Sequence, residues 1–198
     1  SKTYALKPDN FFGIVPRLMI REGDRIAKGA PIFHSKKDPR ILFVSPVSGI
    51  IKDVVRGAKR KILKIVIEQQ EGDVISHKIP ASKSLDCKNI TEILLKSGAW
   101  PFLKQRPYGI IADPNTTPKS IYISTYASAP LDVDFQFLLK NHKEEFQMGI
   151  DILNALVDTP PILSIDADFS GFFEKIKKVK VLRINGPHPA GNVSVQIQ

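Results

Sequence analysis

Near residue 80 the apolar pattern of this chain changes period, so its two parts cannot share one kind of secondary structure. Before that point, short runs rich in Val, Ile and Phe (RLMI, APIFHS, RILFVS, GIIKDVV and ILKIVIE) are separated by Gly, Pro and Asp at close intervals. Runs of that length between turn residues predict the strands of a small β-barrel or sandwich. Two glycine turns organise them: Gly23-Asp24 reverses one strand pair and Pro46 to Gly49 turns the next. After residue 80, strands alternate with helices. NITEILLKSGAW predicts a short helix with Asn89 or Thr91 as its cap and Gly98 as its stop. YGIIAD, KSIYISTYA, PILSIDA and VKVLRI predict strands, Asp134 to Val157 a long helix, and SGFFEKIKK a further helix. The long helix carries an inner stripe of Phe135, Leu139, His142, Phe146, Gly149, Leu153 and Leu156 at steps of four and three. The predicted fold is mixed α and β: an all-β domain over residues 1–80, then a Rossmann-like α/β domain with a mainly parallel sheet over residues 81–198.

Charge divides the chain at the same place. The net charge of +9 comes almost wholly from residues 1–80, which hold 16 Lys and Arg against 8 Asp and Glu; the remainder holds 13 against 12. The densest cluster is RGAKRKILK, where Arg56, Lys59, Arg60, Lys61 and Lys64 crowd a turn between strand-like runs. Such a turn suits phosphates, an anionic lipid surface or an acidic partner. No aromatic interleaving or nucleic-acid motif accompanies it, so nucleic acid is not expected as a partner.

The side chains that carry most enzyme chemistry are sparse. A single cysteine, Cys87, excludes an internal disulfide and points to a reducing compartment. His34, His77 and His142 stand apart from one another and from metal-ligand spacing, so no metal site is expected; His142, on the apolar stripe, reads as a buried or half-buried structural histidine. There is no GxSxG elbow, P-loop or GxGxxG, and no catalytic residue is assigned. Asp166 and Asp168 close a predicted parallel strand, where α/β proteins place ligands, but read first as loop and cap residues. No apolar run reaches membrane-span length, and the start SKTYALKPDN and end SVQIQ read as those of a piece from a longer protein.

REGDRIAKGAPIF followed by SPVSGIIKDVV resembles the lipoyl and biotinyl domains and their barrel-sandwich-hybrid relatives. In a lipoyl domain the modified lysine sits at a hairpin tip, which here is HSKKDPR, with Lys36 or Lys37 nearest the expected place. The flanking residues differ and Asp38-Pro39 changes the turn, so a carrier domain is an alternative reading and a scaffold the preferred one.

In order and spacing, REGDRIAKGAPIF, SPVSGIIKDVVRGAKRKIL, LLKSGAWPFLKQRP, SIYISTYASAPLDVD, EEFQMGIDIL and NGPHPAGNVSV resemble the NqrA family of sodium-translocating NADH:quinone oxidoreductase subunits. The resemblance implies a peripheral subunit on the cytoplasmic face of the bacterial inner membrane. Its partners would be the other subunits of a complex that passes electrons from NADH to quinone and exports sodium, and it would reach the membrane surface through that complex. It also implies an α/β domain related to the flavin subunit of respiratory complex I, with no tightly held redox cofactor. In those relatives a glycine-rich loop cradles the flavin phosphate after the helix that here ends LLKSGA; this chain has WPFLKQRPYG, with Trp100, Pro101 and Phe102 in place of bare backbone. Neither an FMN nor an NADH site is therefore expected, and a flavin or NADH enzyme stands as the alternative. Quinone contact is implied by the family alone; the local candidates are Phe11 and Phe12 as an aromatic surface and His188 as a polar group. The loop GPHPAGN reads as a stiff interdomain connector: Pro187 and Pro189 fix two φ angles, and Gly191 and Asn192 permit the positive φ of a tight turn.

Overall fold

The computed structural model describes residues 2–79, 86–168 and 171–197. They form two compact units: Ser1–Ile79 with Thr91–Pro114, and Pro80–Ile90 with Asn115–Gln198. The boundary expected between residues 80 and 81 lies outside the described residues. The segment Thr91–Pro114, assigned by its pattern to the α/β part, packs with the β-rich unit.

Within residues 2–79 the first unit forms two antiparallel sheets, as a barrel-sandwich hybrid does. One has the order β1 (Thr3–Leu6), β7 (Ile62–Gln69), β6 (Gly49–Arg56), β3 (Arg25–Ile26), and the other β2 (Pro16–Leu18), β4 (Pro31–Ser35), β5 (Leu42–Val44). Alternation sends Ile65 and Ile67 of β7 into the core with Ile51 of β6, whereas on β4 the adjacent Ile32 and Phe33 are both buried where the register with β5 shifts; Phe33 stacks on Phe43 with ring centroids 4.4 Å apart. Strand β1 escapes the apolar pattern, because TYAL has only one branched aliphatic residue and lies almost wholly exposed. The serines of SPVSG are buried for a reason. Ser45 Oγ donates to Val47 O at 2.6 Å, and Ser48 Oγ donates to Asp73 O at 2.7 Å while accepting from Lys28 N at 3.0 Å. Each hydroxyl satisfies backbone groups that the turn would otherwise leave unpaired.

Helix α1 (Cys87–Lys96) starts two residues before the expected cap. Asp86 supplies the capping carboxylate, accepting from Asn89 N at 2.9 Å. The expected stop at Gly98 is present, with φ 71°. An added Cβ there would lie 2.7 Å from the Val44 methyl carbons, so this glycine also lets the turn close onto β5. The next turn, Trp100–Phe102, buries Trp100 and Pro101, and Trp100 Nε1 donates to Ala112 O at 2.8 Å. YGIIAD does not join a parallel sheet: β9 (Ile110–Ile111) pairs antiparallel with β8 (Lys104–Gln105) as a short hairpin of the first unit.

The second unit is built on three parallel strands in chain order, β10 (Tyr122–Ser124), β11 (Ile162–Asp166) and β12 (Lys180–Ile184). On one face Leu163, Ile165 and Phe173 are fully buried among Ile123, Phe135, Leu139, Phe146 and Phe172. The expected single helix is two: α2 (Phe135–Leu139), capped by Asp134 through Phe137 N at 3.0 Å, and α3 (Lys143–Asn154). His142 sits at the break with φ −125°, in the N-cap position of α3 but with no side-chain cap bond, and its exposed ring lies 3.7 Å from Glu145 instead of entering the core. The stripe's aromatic and leucine positions face inward as expected; the histidine does not. SGFFEKIKK forms only a 3-10 turn, Gly171–Lys175, and a short closing helix α4 (Val193–Gln196), which the pattern does not predict, follows the proline-rich loop.

Candidate functional site

The first unit gathers aromatic side chains around Phe11. The Pro8–Asn10 turn presents Phe11 edge-on to Phe43, with centroids 4.6 Å apart, and to Phe102 at 6.0 Å. The Lys104 ammonium lies 5.5 Å from the Phe11 ring centroid, and loss of solvent pulls its pKa below the ordinary lysine range. Phe102 is 71% exposed and Phe12 69%. Phe11 thus packs on the core at Phe43, while Phe102 on its other side and Phe12 next to it in sequence face solvent. Sequence alone does not bring Phe102 and Lys104 together with Phe11, because their closeness arises only when Thr91–Pro114 folds onto the β unit.

At the tip of the β6–β7 hairpin the basic residues are held outward. Lys59 and Arg60 adopt left-handed backbone, φ 53° and 60°, a conformation costing a non-glycine residue about 1–2 kcal/mol. A bulge pairs Val55 with Lys64 and Arg56 with Ile62, skipping Leu63, so that Leu63 and Lys64 both turn outward between buried Ile62 and Ile65. Lys61 pairs with Asp9 at 2.8 Å. On the other hairpin, the tip holding Lys36 and Lys37 is fixed by its backbone: Lys36 N donates to Val15 O at 2.9 Å and Lys37 N to Ser35 Oγ at 3.2 Å. Asp38, hydrogen-bonded by Arg40 at 2.6 Å, has its carboxyl pKa held below the usual range. A depressed carboxylate contributes stability that is present above its unfolded pKa and is lost as pH falls through the folded value. Arg40→Ala is therefore expected to flatten the acid limb of the unfolding midpoint against pH, and an unchanged limb removes this pair as a source of acid sensitivity.

In the second unit the functional candidates collect where the parallel strands end. Asp166 Oδ1 accepts from Asp168 N at 2.8 Å and Asp168 Oδ2 from Asn185 Nδ2 at 3.2 Å, so both carboxylates hold the loops after β11 and β12. The proline loop then folds back onto the segment after β10. Tyr126 Oη donates to Gly186 O at 2.6 Å, Gly191 N donates to Ser128 Oγ at 2.7 Å, and Ser128 Oγ lies 3.2 Å from His188 Nδ1. The Ser128 hydroxyl therefore ties Gly191 and His188 of the loop to the segment after β10. Positive φ is not what Gly191 and Asn192 supply. Asn192 has φ −74° and caps α4, and the left-handed glycine is Gly186 at φ 151°. Gly191 is needed for close approach: an added Cβ would sit 2.7 Å from both Ser128 N and Ser128 Oγ. Phe11 and Phe12 belong to the first unit and His188 to the second.

Among the described residues no group of three or more His, Cys, Asp or Glu side chains is placed to hold a metal ion, and no helix is long and apolar enough to cross a membrane. Cys87 is free and exposed at the start of α1.

Residues 1–70 match the family described as NqrA N-terminal barrel-sandwich hybrid domain, and residues 85–198 the NqrA second alpha/beta domain. The chain is 32% identical to the NqrA subunit of the Na(+)-translocating NADH-quinone reductase of Alcanivorax borkumensis, over 99% of its length and 45% of the relative's. The corresponding subunit from Yersinia pseudotuberculosis is 31% identical over 98% and 44%, and that from Pseudomonas aeruginosa 29% over 96% and 43%. The chain thus spans just under half the length of the curated relatives it matches. With both domain types matched in order and along nearly its whole length, the chain belongs to the NqrA family.

Proposed function

We propose that this chain is the front part of a peripheral subunit of a bacterial sodium-translocating NADH:quinone reductase, working at the cytoplasmic face of the inner membrane with the other subunits as partners. In this reading it supports assembly and contacts quinone, without a catalytic group, FMN or NADH of its own. The observation that carries the quinone part is the aromatic cluster of the first unit. Phe102 offers an exposed ring face, Phe11 backs it against Phe43, and Lys104 stands beside them as a hydrogen-bond donor. A flat quinone ring suits the aromatic faces, and a partly desolvated ammonium suits a carbonyl oxygen. His188, with Nδ1 engaged by Ser128, is assigned to holding its loop, and Pro187 to Asn192 to setting the direction of the chain beyond it.

The exclusion of flavin and NADH rests on the Trp100–Phe102 turn. A backbone phosphate cradle needs several converging N–H groups, whereas Pro101 lacks one and Trp100 is packed inward. A photoreactive quinone applied to the assembled complex is expected to label the segments around Phe11 and Phe102. Phe102→Ser and Lys104→Ala are expected to raise KM for quinone about ten-fold each, the equivalent of about 1.4 kcal/mol. Labelling elsewhere with unchanged KM sinks the quinone assignment. Calorimetric titration of the full-length protein with FMN and with NADH tests the other half, and a stoichiometric, salt-resistant micromolar isotherm overturns it.

A further inference from the structure

We propose that the tip of the β6–β7 hairpin, together with the turn that follows β1, seats directly on an anionic lipid surface. The cations are Arg56, Lys59, Arg60, Lys61 and Lys64, joined by exposed Lys7. Lys7 directly follows Leu6, the residue that pairs with Ile65, so the backbone carries it toward the same end of the sheet. The ion pair between Lys61 and Asp9 ties the Pro8–Asn10 turn to the tip. Phe12 follows in that same coil, which is closed by Phe11 N to Pro8 O at 3.0 Å and Ile14 N to Phe11 O at 3.3 Å. Leu63, 40% exposed, lies across the base of the tip; an added Cβ on Gly57 would be 3.2 Å from its methyl carbons.

Two features favour a bilayer over an acidic protein. Protein interfaces bury a continuous apolar core and are depleted of lysine. Here the exposed apolar side chains are Leu63, at the base of the tip, and Phe12, in the coil that the Lys61–Asp9 pair ties to it, and four of the six cations are lysines; a ring or branched chain at the acyl boundary with ammonium groups on phosphates suits that set. The second feature is the strained backbone. Lys59 and Arg60 occupy left-handed positions where glycine is cheaper, and the conformation fans consecutive long cations outward from one turn. The inference is independent of the quinone reading, because lipid binding needs neither quinone nor the other subunits.

The test is flotation of the full-length protein with vesicles of phosphatidylcholine alone and of an equimolar mixture with phosphatidylglycerol, at low and at physiological salt. Binding is expected to the anionic vesicles only and to weaken with salt, because exposed charges are screened over about 8–10 Å at physiological ionic strength. Each cation near the surface contributes about a five-fold factor, so Lys59→Gly with Arg60→Gly is expected to lower partitioning about 25-fold. Glycine keeps the left-handed turn, so this pair removes charge without disturbing the hairpin, which an unchanged or higher thermal midpoint verifies. Phe12→Ser is expected to lower partitioning about ten-fold while leaving the salt dependence as it was. No flotation at low salt overturns the proposal, as does equal binding to both vesicle types. Wild-type vesicle binding by the glycine pair, with lost association to the other subunits, assigns the tip to a protein partner and overturns it equally.

Discussion

Phe173→Ala is expected to destabilise the second unit by about 3–5 kcal/mol, the usual cost of emptying a buried phenylalanine site. Phe173 is 1% exposed and belongs with Leu163 and Ile165 to the fully buried centre of the unit. Its ring lies 5.4 Å from Phe146 of α3 and 4.2 Å from Phe172, so truncation withdraws support from a helix and from the sheet together. Relaxation can offset part of this, since Phe172 is only partly buried and adjacent. It cannot offset most, because Phe172 already packs edge-on to Phe146, at 6.2 Å, and would have to give that contact up. The two units need not unfold together, so the readout is amide hydrogen exchange of Ile162–Asp166, which follows opening of this sheet. Leu131→Ala, at a fully exposed position of the same unit, serves as the control and is expected to stay within about 0.5 kcal/mol. A Phe173→Ala effect as small as the control's would mean that Phe173 is not at the centre of the core.

The parts of this fold legible in the sequence are those that period alone determines. The short Val- and Ile-rich runs GIIKDVV and ILKIVIE mark β6 and β7, and PILSIDA and VKVLRI mark parallel strands. The helix break at Asn141-His142 is not legible, because Phe135, Leu139 and Phe146 keep helical spacing across it and a pattern of apolar residues cannot report a change of backbone at a polar position. The placement of Thr91–Pro114 is illegible for a different reason. A short helix and two short strands read the same whichever unit they pack on, and the fit of Gly98 to Val44 is a tertiary contact that no sequence pattern reports. That placement is also what puts Phe102 and Lys104 beside Phe11, so half of the candidate site comes from tertiary structure. The basic tip is visible as composition; its outward aim depends on a bulge and two left-handed residues that no propensity signals.

Gly191→Ala is expected to release the proline loop from the end of the parallel sheet, at a cost of about 2–4 kcal/mol. The added methyl would meet Ser128 N and Ser128 Oγ at 2.7 Å each and Tyr126 O at 3.1 Å. Two of those atoms are backbone, so the clash cannot be relieved by turning a side chain, and one of the two segments has to withdraw. Withdrawal breaks the Gly191 N to Ser128 Oγ bond of 2.7 Å, frees the Ser128 contact to His188 and loosens the Tyr126 bond to Gly186 O. Ser128→Ala separates sterics from hydrogen bonding, since it removes two of those bonds without introducing a clash and is expected to cost about 1–2 kcal/mol. The two prolines narrow the loop's choices in the unfolded chain but make no bond to the post-β10 segment, so they cannot replace the lost anchors. Hydrogen exchange over residues 125–128 and 185–192 is the measure: faster in Ser128→Ala, faster still in Gly191→Ala, with the Ile162–Asp166 amides unchanged in both. If Gly191→Ala left exchange in the two loops as slow as in the parent, glycine at this position would not be required by close approach, and the loop's shape would have to be held by its prolines alone.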